Sequence, residues 1–355
     1  MALHKDSRLY NLPFDQFSRQ EIVRDIVDTC IRPLATNDKP GRALRIIDLG
    51  GHRGYTRDFF PDDEVTILDV IDESYDNYIK GDATNIDAAD DAYDVVVSFD
   101  TFEHIPQDLR EKFLHEATRI AKYATIVAAP FESARIKLTH EVEAETNSLY
   151  KKIFDEEHPW LKEHIEYGLP EVSMVEAWLA GSSVQGLFLP SNNLRLWQMG
   201  QGLMFNSAAL GHDVKDVVDV SAYYNRSLDD LDSSPGPSYR QIVLLSKNEA
   251  AFAALESYVA KRTLAHSPKK ETAYVGKINK AYGAVIQDLL ADRDYLAARE
   301  KHLQEMYDQA EDQKKVLNQN IAELQAHIRV LEKQKQPYSR AVASKLKRGV
   351  KRVIS

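Results

Sequence analysis

Short apolar runs alternate with amphipathic segments over the first 250 residues. Apolar side chains recur at helical spacing between Gln16 and Leu34, which predicts a leading helix that ends at the NDKPGR turn. Four apolar runs then predict strands, namely LRIIDL, VTILDV, YDVVVSFD and ATIVAAP. Strands that are apolar at every position are buried on both faces, so this pattern predicts a parallel sheet covered by helices.

The pattern changes after the fourth strand. Residues 131–183 are rich in charged and aromatic side chains at helical spacing, which predicts a helical insert. Two further strand candidates follow near residues 184–190 and 240–246, and we interpret the DDLDSSPGPS segment between them as a loop. Residues 1–250 are therefore expected to form one α/β domain.

A heptad pattern occupies the chain beyond residue 250. Ala, Glu, Gln, Lys and Leu dominate there, and we expect a helical linker over 251–283 and a coiled coil over 284–336. Leucine, with one alanine, takes every seventh position: Leu289, Leu296, Leu303, Ala310, Leu317, Leu324 and Leu331. The companion positions, many of them polar, are Ile286, Arg293, Glu300, Tyr307, Lys314, Ile321 and Ile328. We expect a homo-oligomer; the alternative is a single helix that folds back on the domain.

The last segment, 337–355, is strongly basic. It begins at Pro337, which ends the coil, and holds six basic residues and no acidic one. Its apolar residues fall roughly on one helical face, as in an amphipathic helix that docks on a membrane surface or a partner protein. The alternative is a frayed, solvated tail.

Overall composition narrows the classes of function. A formal net charge of −10 argues against a nucleic-acid partner, because such proteins normally present a basic face. Cys30 is the single cysteine, which excludes an intrachain disulfide framework and fits a reducing compartment. The sequence shows no signal peptide and no apolar run long enough to span a bilayer. We expect a cytoplasmic protein, with the basic tail a candidate for peripheral attachment at the inner face of the membrane.

The most informative stretch is LRIIDLGGHRGYTRDFF, from Leu44 to Phe60. It has the form of strand, glycine-rich turn and helix, in which backbone approaches a ligand closely and the helix start offers free N–H groups. The spacing fits neither the dinucleotide fingerprint nor a phosphate-binding loop. The acidic Asp48 before the turn would repel a pyrophosphate and suits a ligand that carries an ammonium group.

This turn resembles the first motif of class I S-adenosylmethionine-dependent methyltransferases, an acidic residue followed by three alternate glycines. Asp48, Gly50 and Gly54 match the motif, while His52 stands where the middle glycine belongs and Gly51 is the remaining flexible position. The resemblance covers roughly residues 42–131 and implies a Rossmann-like fold with S-adenosylmethionine as cofactor.

Three further fragments resemble the family in the expected order. Asp69 ends the second strand, where the family's acid binds both ribose hydroxyls, and GDATNID supplies Asp82 and Ala83, where the family contacts the adenine edge. YDVVVSFDTFEHIP, which includes Ser98, resembles the fourth-strand motif of a subgroup that carries a Glu-His pair. The resemblance implies that these residues line the cofactor pocket. The departure at His52 leaves open a degenerate domain that serves only as a scaffold.

Candidates for the chemistry follow the fourth strand. Methyl transfer to oxygen requires that the acceptor's proton be taken, and Asp100, Glu103 and His104 lie where α/β sheets bind ligands. In the resembled subgroup the Glu-His pair is often structural or lines the cofactor pocket, so its role in catalysis stays open.

The helical insert offers a candidate acceptor surface. His158 and His164 are separated by five residues, which matches no zinc pattern, so we predict no metal site. Trp160, Tyr167 and nearby carboxylates suit a sugar-like acceptor, and the insert resembles those of methyltransferases encoded with bacterial surface-polysaccharide enzymes. An ordinary helical packing face is the alternative. We predict O-methylation of a glycan or lipid-linked saccharide, with a small-molecule acceptor or N-methylation as the alternative enzyme.

Overall fold

The computed structural model describes residues 7–37, 39–52, 54–132, 137–211, 215–262, 266–333 and 348. The chain divides into a first unit, Met1–Ile286, and a second unit, Gln287–Ser355. The basic tail predicted over 337–355 lies outside the described residues except for Arg348, which is helical. Among the described helices, none combines the length and apolar character that a membrane span requires.

A seven-stranded sheet forms the centre of the first unit. Its strands are β1 (Arg45–Leu49), β2 (Glu64–Asp69), β3 (Tyr78–Lys80), β4 (Tyr93–Phe99), β5 (Ala121–Pro130), β6 (Gln185–Asn193) and β7 (Ser238–Ser246). The order across the sheet is β3-β2-β1-β4-β5-β7-β6. Strands β1 to β5 pair in parallel, whereas β7 runs antiparallel to both β5 and β6.

This sheet confirms the predicted Rossmann-like methyltransferase fold, with two differences from the sequence pattern. The sheet is mixed rather than wholly parallel, because β7 enters it in the reverse direction. Strand β3 is an additional, short edge strand whose three residues are half-buried or exposed, so it lacks the apolar run that marked the others.

Helices surround the sheet and extend beyond it. They are α1 (Phe14–Ile26), α2 (Arg32–Ala35), α3 (Thr56–Phe59), α4 (Arg110–Ile120), α5 (Leu138–Phe154), α6 (Pro159–Tyr167), α7 (Val172–Ala180), α8 (Leu194–Ala208), α9 (Lys215–Arg226), α10 (Leu228–Asp232), α11 (Glu249–Arg262) and α12 (Pro268–Lys333). A π-helical turn, Val27–Ile31, joins α1 to α2. Helix α10 occupies part of the segment expected to be a loop, and the non-helical part is limited to residues 233–237.

Alternate residues of the central strands pack on opposite faces of the sheet. Ile46 and Val97 contribute to one core cluster, together with residues of α1 and α8. Ile47 and Val96 contribute to the other, together with Phe113 of α4. Burial on both faces explains why the central strands are continuous apolar runs, and it leaves only their ends free to carry polar side chains.

The helical insert and the start of α12 both belong to the first unit. Helices α5, α6 and α7 lie between β5 and β6 in the chain, and α6 contacts the turn Phe102–His104 that follows β4. In α12, Tyr274, Ile278 and Val285 are buried in the core of the first unit. In the second unit the heptad leucines at positions 289, 296, 303, 317 and 324 are exposed.

Candidate active site

The carboxyl ends of β1, β2 and β4 meet at one edge of the sheet. Residues Asp48 and Leu49 of β1 pair with Ile67 and Leu68 of β2, so the turn after β1 lies beside Asp69. The end of β4 follows on the other side of β1. Ligands of open α/β sheets bind outside these strand ends, where the chain leaves β1 and neighbouring strands diverge. The predicted cofactor-binding and catalytic residues therefore converge on one edge.

The turn after β1 depends on its glycines. Gly50 has a φ of +84°, and a Cβ there would lie 2.1 Å from Oγ1 of Thr101. At Gly51 a Cβ would lie 2.4 Å from Oδ2 of Asp48, and Gly54 has a φ of +66°. A larger residue would clash at the first two positions and would be strained at the first and third. We call this turn, with Gly50, Gly51 and Gly54, the glycine cradle; its backbone lies next to the carboxylate of Asp48.

Asp48 is buried beneath this cradle and is only partly satisfied. Oγ1 of Thr56, at the start of α3, donates a hydrogen bond of 2.5 Å to Oδ2. Within the described chain Oδ1 of Asp48 has no hydrogen-bond partner. Burial raises the pKa of Asp48 to about 7, against the opposing effect of Thr56. A ligand that brings a positive N–H group into the cradle would satisfy the free oxygen and stabilise the ionised form.

Asp69 fixes the far side of the turn. Its carboxylate accepts hydrogen bonds from the backbone N–H of His52 at 3.1 Å and of Ile71 at 2.9 Å. The carbonyl of His52 accepts a bond of 2.5 Å from the Tyr75 hydroxyl, and its imidazole Nδ1 lies 3.8 Å from Oε1 of Glu73. The contacts of His52 within the turn are therefore made by its main chain.

The other three predicted cofactor residues differ in exposure. Asp82 is exposed, and its Oδ1 accepts the backbone N–H of Thr84 at 2.8 Å, while Ala83 is buried. Ser98 is buried in β4, and its hydroxyl donates to the carbonyl of Leu49 at 2.9 Å. Ser98 thus ties the end of β4 to the end of β1, which positions the turn.

Asp100, directly after β4, is held by two arginines. Its backbone lies in the left-handed region with a φ of 44°. Nε of Arg240 donates to Oδ1 at 2.6 Å, and Arg19 of α1 pairs with Oδ2. Burial alone would raise the pKa of Asp100, but Arg19 and Arg240 outweigh it and lower the pKa to about 2. Asp100 is therefore a fixed anion rather than a proton acceptor at neutral pH.

This ion-pair network has little signature in the sequence. Arg240 is fully buried in β7 and also pairs with Asp15 of α1, with its Nη1 2.7 Å from Oδ1. The one available signal is a charged residue at the start of an apolar strand, since a buried arginine needs partners. The network ties α1 and β7 to the loop that follows β4.

Glu103 and His104 meet His164 of the insert. Nε2 of His104 lies 3.4 Å from Nε2 of His164, and these nitrogens lie 4.0 Å and 3.7 Å, respectively, from Oε1 of Glu103. Glu103 is fully buried, and burial, followed by the nearby charge of Asp100, raises its pKa to about 8. We call these three residues the Glu-His-His cluster.

Carboxylates hold the outer nitrogens of both histidines. Nδ1 of His164 lies 2.9 Å from Oε1 of Glu143, which also accepts the Tyr239 hydroxyl at 2.9 Å. Nδ1 of His104 lies 2.7 Å from Oε2 of Glu163. Burial lowers the pKa of His164, but Glu143 outweighs it and the net shift is upward. For His104, burial and then His164 lower the pKa.

The spacing of the insert histidines predicts no metal site, and the structure places these two histidines in different surroundings. His158 packs against the rings of Tyr150 and Phe205, away from His164. His164 joins Glu103 and His104 instead, and the donor atoms of the Glu-His-His cluster all lie within 4.8 Å of one another, a group that could hold a metal ion. Tertiary packing of α6 on the turn after β4 creates this cluster.

Comparison with known proteins agrees with the geometry. Residues 61–128, from just before β2 into β5, match the methyltransferase domain family. A comparison with curated proteins finds no match. The family match and the strand order together confirm the predicted class of enzyme, an S-adenosylmethionine-dependent methyltransferase, and with it the cofactor.

Several solved structures are distantly similar. A putative sarcosine dimethylglycine methyltransferase from Galdieria sulphuraria is 17% identical, with 70% of this chain and 92% of that chain covered and a TM-score of 0.39. The magnesium protoporphyrin IX methyltransferase of Synechocystis PCC 6803 is 11% identical, with coverage of 66% and 85% and a TM-score of 0.37. The YcgJ protein from Bacillus subtilis is 14% identical, with coverage of 60% and 96% and a TM-score of 0.32. These similarities are too distant to indicate an acceptor.

Proposed function

We propose that this protein transfers the methyl group of S-adenosylmethionine to a hydroxyl oxygen of a glycan or lipid-linked saccharide. The observation that carries the proposal is the shared edge of the sheet. The glycine cradle, with its unsatisfied Asp48 oxygen, and the Glu-His-His cluster lie next to one another after β1 and β4. A donor site and an acceptor site are thereby adjacent.

The residues around the cradle fit the cofactor. The free oxygen of Asp48 suits the ammonium of the methionine portion, and the Asp69 carboxylate, already oriented by two backbone N–H groups, suits the ribose hydroxyls. Asp82 and Ala83 would border the adenine. Gly50, Gly51 and Gly54 allow close approach of the backbone, and Ser98 holds the two strand ends together.

One face of α6 fits a saccharide acceptor. Trp160, Glu163, His164 and Tyr167 follow one another at the spacing of a single helical stripe. Pro159 starts this helix, and Gly168, with a φ of 70°, ends it. Trp160 and Tyr167 are 58% and 39% exposed, so both rings are available to stack on a sugar face while Glu163 accepts hydrogen bonds from its hydroxyls.

For methyl transfer to oxygen the protein must align the methyl donor with the acceptor and allow the acceptor hydroxyl to lose its proton. Bound S-adenosylmethionine would supply the methyl group, whose bond to sulfur would break with the electron pair going to sulfur as the bond to the acceptor oxygen formed. The acceptor's proton must leave, and the electron-pair donors at this edge are the predicted catalytic residues Glu103 and His104, joined by His164. Asp100, predicted with them, serves in this proposal as a positioning residue.

A methyl-transfer assay tests the proposal. Labelled S-adenosylmethionine is offered with saccharide fractions in one arm and with amines, peptides and phenolic small molecules in the other. We expect label on a saccharide hydroxyl, with loss of activity in His164→Ala and unchanged activity in His115→Ala, an exposed histidine of α4. Label on nitrogen or only on a small molecule would overturn the acceptor proposal. Failure of the cofactor to bind in calorimetry would favour the scaffold alternative.

The second unit supports a further part of the proposal, self-association. Leucines 289, 296, 303, 317 and 324 are between 39% and 61% exposed on one seam of α12. Burying such a seam against a second copy is the usual way to remove it from water. The basic segment 337–355 would then be present in several copies, which would strengthen binding to an anionic membrane surface or a partner protein.

A further inference from the structure

Three electron-pair donors converge in the Glu-His-His cluster, and two of them, Nε2 of His104 and Nε2 of His164, are within hydrogen-bond distance of each other. The separations of 3.4, 3.7 and 4.0 Å between Nε2 of His104, Nε2 of His164 and Oε1 of Glu103 define a triangle. Its centre lies about 2.15 Å from all three atoms, close to the 2.0–2.2 Å at which zinc binds imidazole nitrogen and carboxylate oxygen. The two Glu–His distances are too long for hydrogen bonds, so a cation at the centre would contact all three atoms.

The outer partners of the histidines orient these lone pairs. A carboxylate can only accept, so the hydrogen bond to Glu143 places a proton of His164 on Nδ1, and Oε2 of Glu163, 2.7 Å from Nδ1 of His104, favours the same tautomer for His104. With one proton on each imidazole, both Nε2 atoms are acceptors that face the centre of the triangle, and their 3.4 Å contact needs a cation or a shared proton between them. A histidine that donates its other nitrogen to a carboxylate is the usual arrangement around protein-bound metals, because it fixes the tautomer and raises the ligand's basicity.

Glu103 provides an independent observation. Its side chain is fully buried, and neither carboxylate oxygen accepts a hydrogen bond from another residue of the described chain. The nearby Arg110 donates to the carbonyls of Glu103, Ile105 and Gly168 instead of to the carboxylate. An unpaired buried carboxylate is costly unless a cation compensates it, and its Oε1 is directed at both Nε2 atoms.

We propose that Glu103, His104 and His164 bind a divalent transition-metal ion. Two imidazoles and one carboxylate suit zinc, iron(II), cobalt(II) or manganese(II) better than magnesium or calcium, which prefer all-oxygen sites. Three protein ligands leave a coordination position open, and His104 is partly exposed at the same edge. If the proposed methyltransferase function holds, the acceptor oxygen would take that position and the metal would lower its pKa; Glu103, His104 and His164 would then act as ligands instead of proton acceptors, and the acceptor's proton would leave to solvent water.

Cobalt(II) is the probe, because its visible absorption reports coordination number in the absence of cofactor and acceptor. Full-length protein is stripped with a chelator, titrated with Co²⁺ and followed by absorption and calorimetry. We expect one ion per chain and competition by Zn²⁺ but not by Mg²⁺. His104→Asn and Glu103→Gln should each weaken binding by more than about 100-fold. Glu143→Gln, which removes only an outer partner, should weaken it by about 10- to 100-fold.

Control variants and folding checks make the outcome decisive. His115→Ala removes a histidine that is 70% exposed on α4 and should leave Co²⁺ binding unchanged. Circular dichroism on each variant separates loss of a ligand from loss of fold, and the partly exposed His104 is the variant least apt to unfold. The metal site is refuted if the protein binds no Co²⁺, or if His115→Ala weakens Co²⁺ binding as much as His104→Asn does. In that case a proton shared within the Glu-His-His cluster takes the place of the metal ion.

The metal proposal and the methyltransferase proposal fail in different ways. Methyl transfer that survives chelation, with no Co²⁺ bound, would refute the metal site alone. One Co²⁺ per chain, lost in His104→Asn, together with no methylated product from any acceptor, would refute the proposed function and leave the metal site standing.

Discussion

The buried carboxyl of Asp48 predicts that cofactor binding depends on pH. Its pKa is raised to about 7 by burial, so at pH 5.5 most molecules hold it neutral. A ligand ammonium prefers the ionised form, and the affinity for S-adenosylmethionine should rise with pH and level off above about 7. For a single group that must ionise before binding, the apparent Kd falls about 25-fold between pH 5.5 and 7.5. The ligand's own α-amino group, with an ordinary pKa of about 7.7–8.0, begins to lose its proton at the upper end of this range and limits the gain in affinity near pH 7.5.

Calorimetry at several pH values, in buffers of different ionisation enthalpy, measures both the affinity and the proton released on binding. Asp48→Asn should bind more weakly at pH 7.5 and show little of the pH dependence. Asp72→Asn, an exposed carboxylate after β2, is the matched control and should behave as wild type. A wild-type affinity that is flat across the range, or the same slope in Asp48→Asn, would refute this account of the site.

In the unliganded protein, the contribution of Asp48 to folding stability should decrease as the pH rises. The carboxyl's pKa is near 4 in the unfolded chain and about 7 in the folded one, so the folded chain holds an additional proton between these values. This contribution to stability is full below pH 4 and is lost as the pH rises to about 7. Comparing urea midpoints of wild type and Asp48→Asn at pH 5 and 8, without ligand, isolates it.

Three further substitutions test other parts of the site. Asp69→Ala removes the acceptor proposed for the ribose hydroxyls and should weaken cofactor binding by roughly 10- to 100-fold in calorimetry, whereas Asp72→Ala should not. His52→Gly should keep cofactor affinity within about threefold, since the contacts of His52 in the turn come from its main chain; a larger loss would show that the imidazole contacts the ligand. Arg240→Met removes a buried arginine from two partly buried carboxylates, Asp15 and Asp100, which keep Arg19 as a shared partner, and it should cost about 3 kcal/mol in urea unfolding, while the exposed Arg195→Met should cost less than about 1 kcal/mol.

Features that local physics determines could be predicted from the sequence. The runs that form β1, β2, β4 and β5 are apolar because both of their faces are buried. The hydrophobic pattern alone therefore identifies these segments as buried strands. The turn at Gly50 was recognisable because its backbone needs a glycine. Strand β3 escaped prediction because it is short and sits at the edge, where burial imposes no pattern.

Features that depend on long-range packing could not be predicted. Asp100 was a candidate for proton transfer until the structure placed Arg240, 140 residues away in sequence, on its carboxylate. The Glu-His pair was visible at 103–104, but its partner His164 is 60 residues further on and joins it only because α6 packs on that turn. Glu163 directly precedes His164 in the sequence, and it is this carboxylate that lies beside Nδ1 of His104. A carboxylate next to a histidine was the one sequence feature that could have indicated such a pairing.

The leucine seam of α12 makes a prediction about assembly. Leu303 and Leu317 are 56% and 45% exposed, and burying the exposed half of each against a second copy should contribute about 1 kcal/mol. In a dimer, Leu303→Glu with Leu317→Glu removes four such contacts, or about 4 kcal/mol, which raises the dimer Kd by roughly three orders of magnitude. Light scattering on size-separated protein at micromolar concentration should therefore report an oligomer for wild type and a monomer for the double variant.

A matched control separates the seam from a general effect of added charge. Ala298→Glu with Ala326→Glu places the same two charges two residues beyond heptad leucines, on the opposite side of the helix. Because that side faces water in either state, this variant should keep the wild-type mass. A monomeric wild type would show that the leucines do not pair with a second copy and would favour the fold-back alternative. Equal dissociation in both double variants would show that the heptad frame assigned to α12 is wrong.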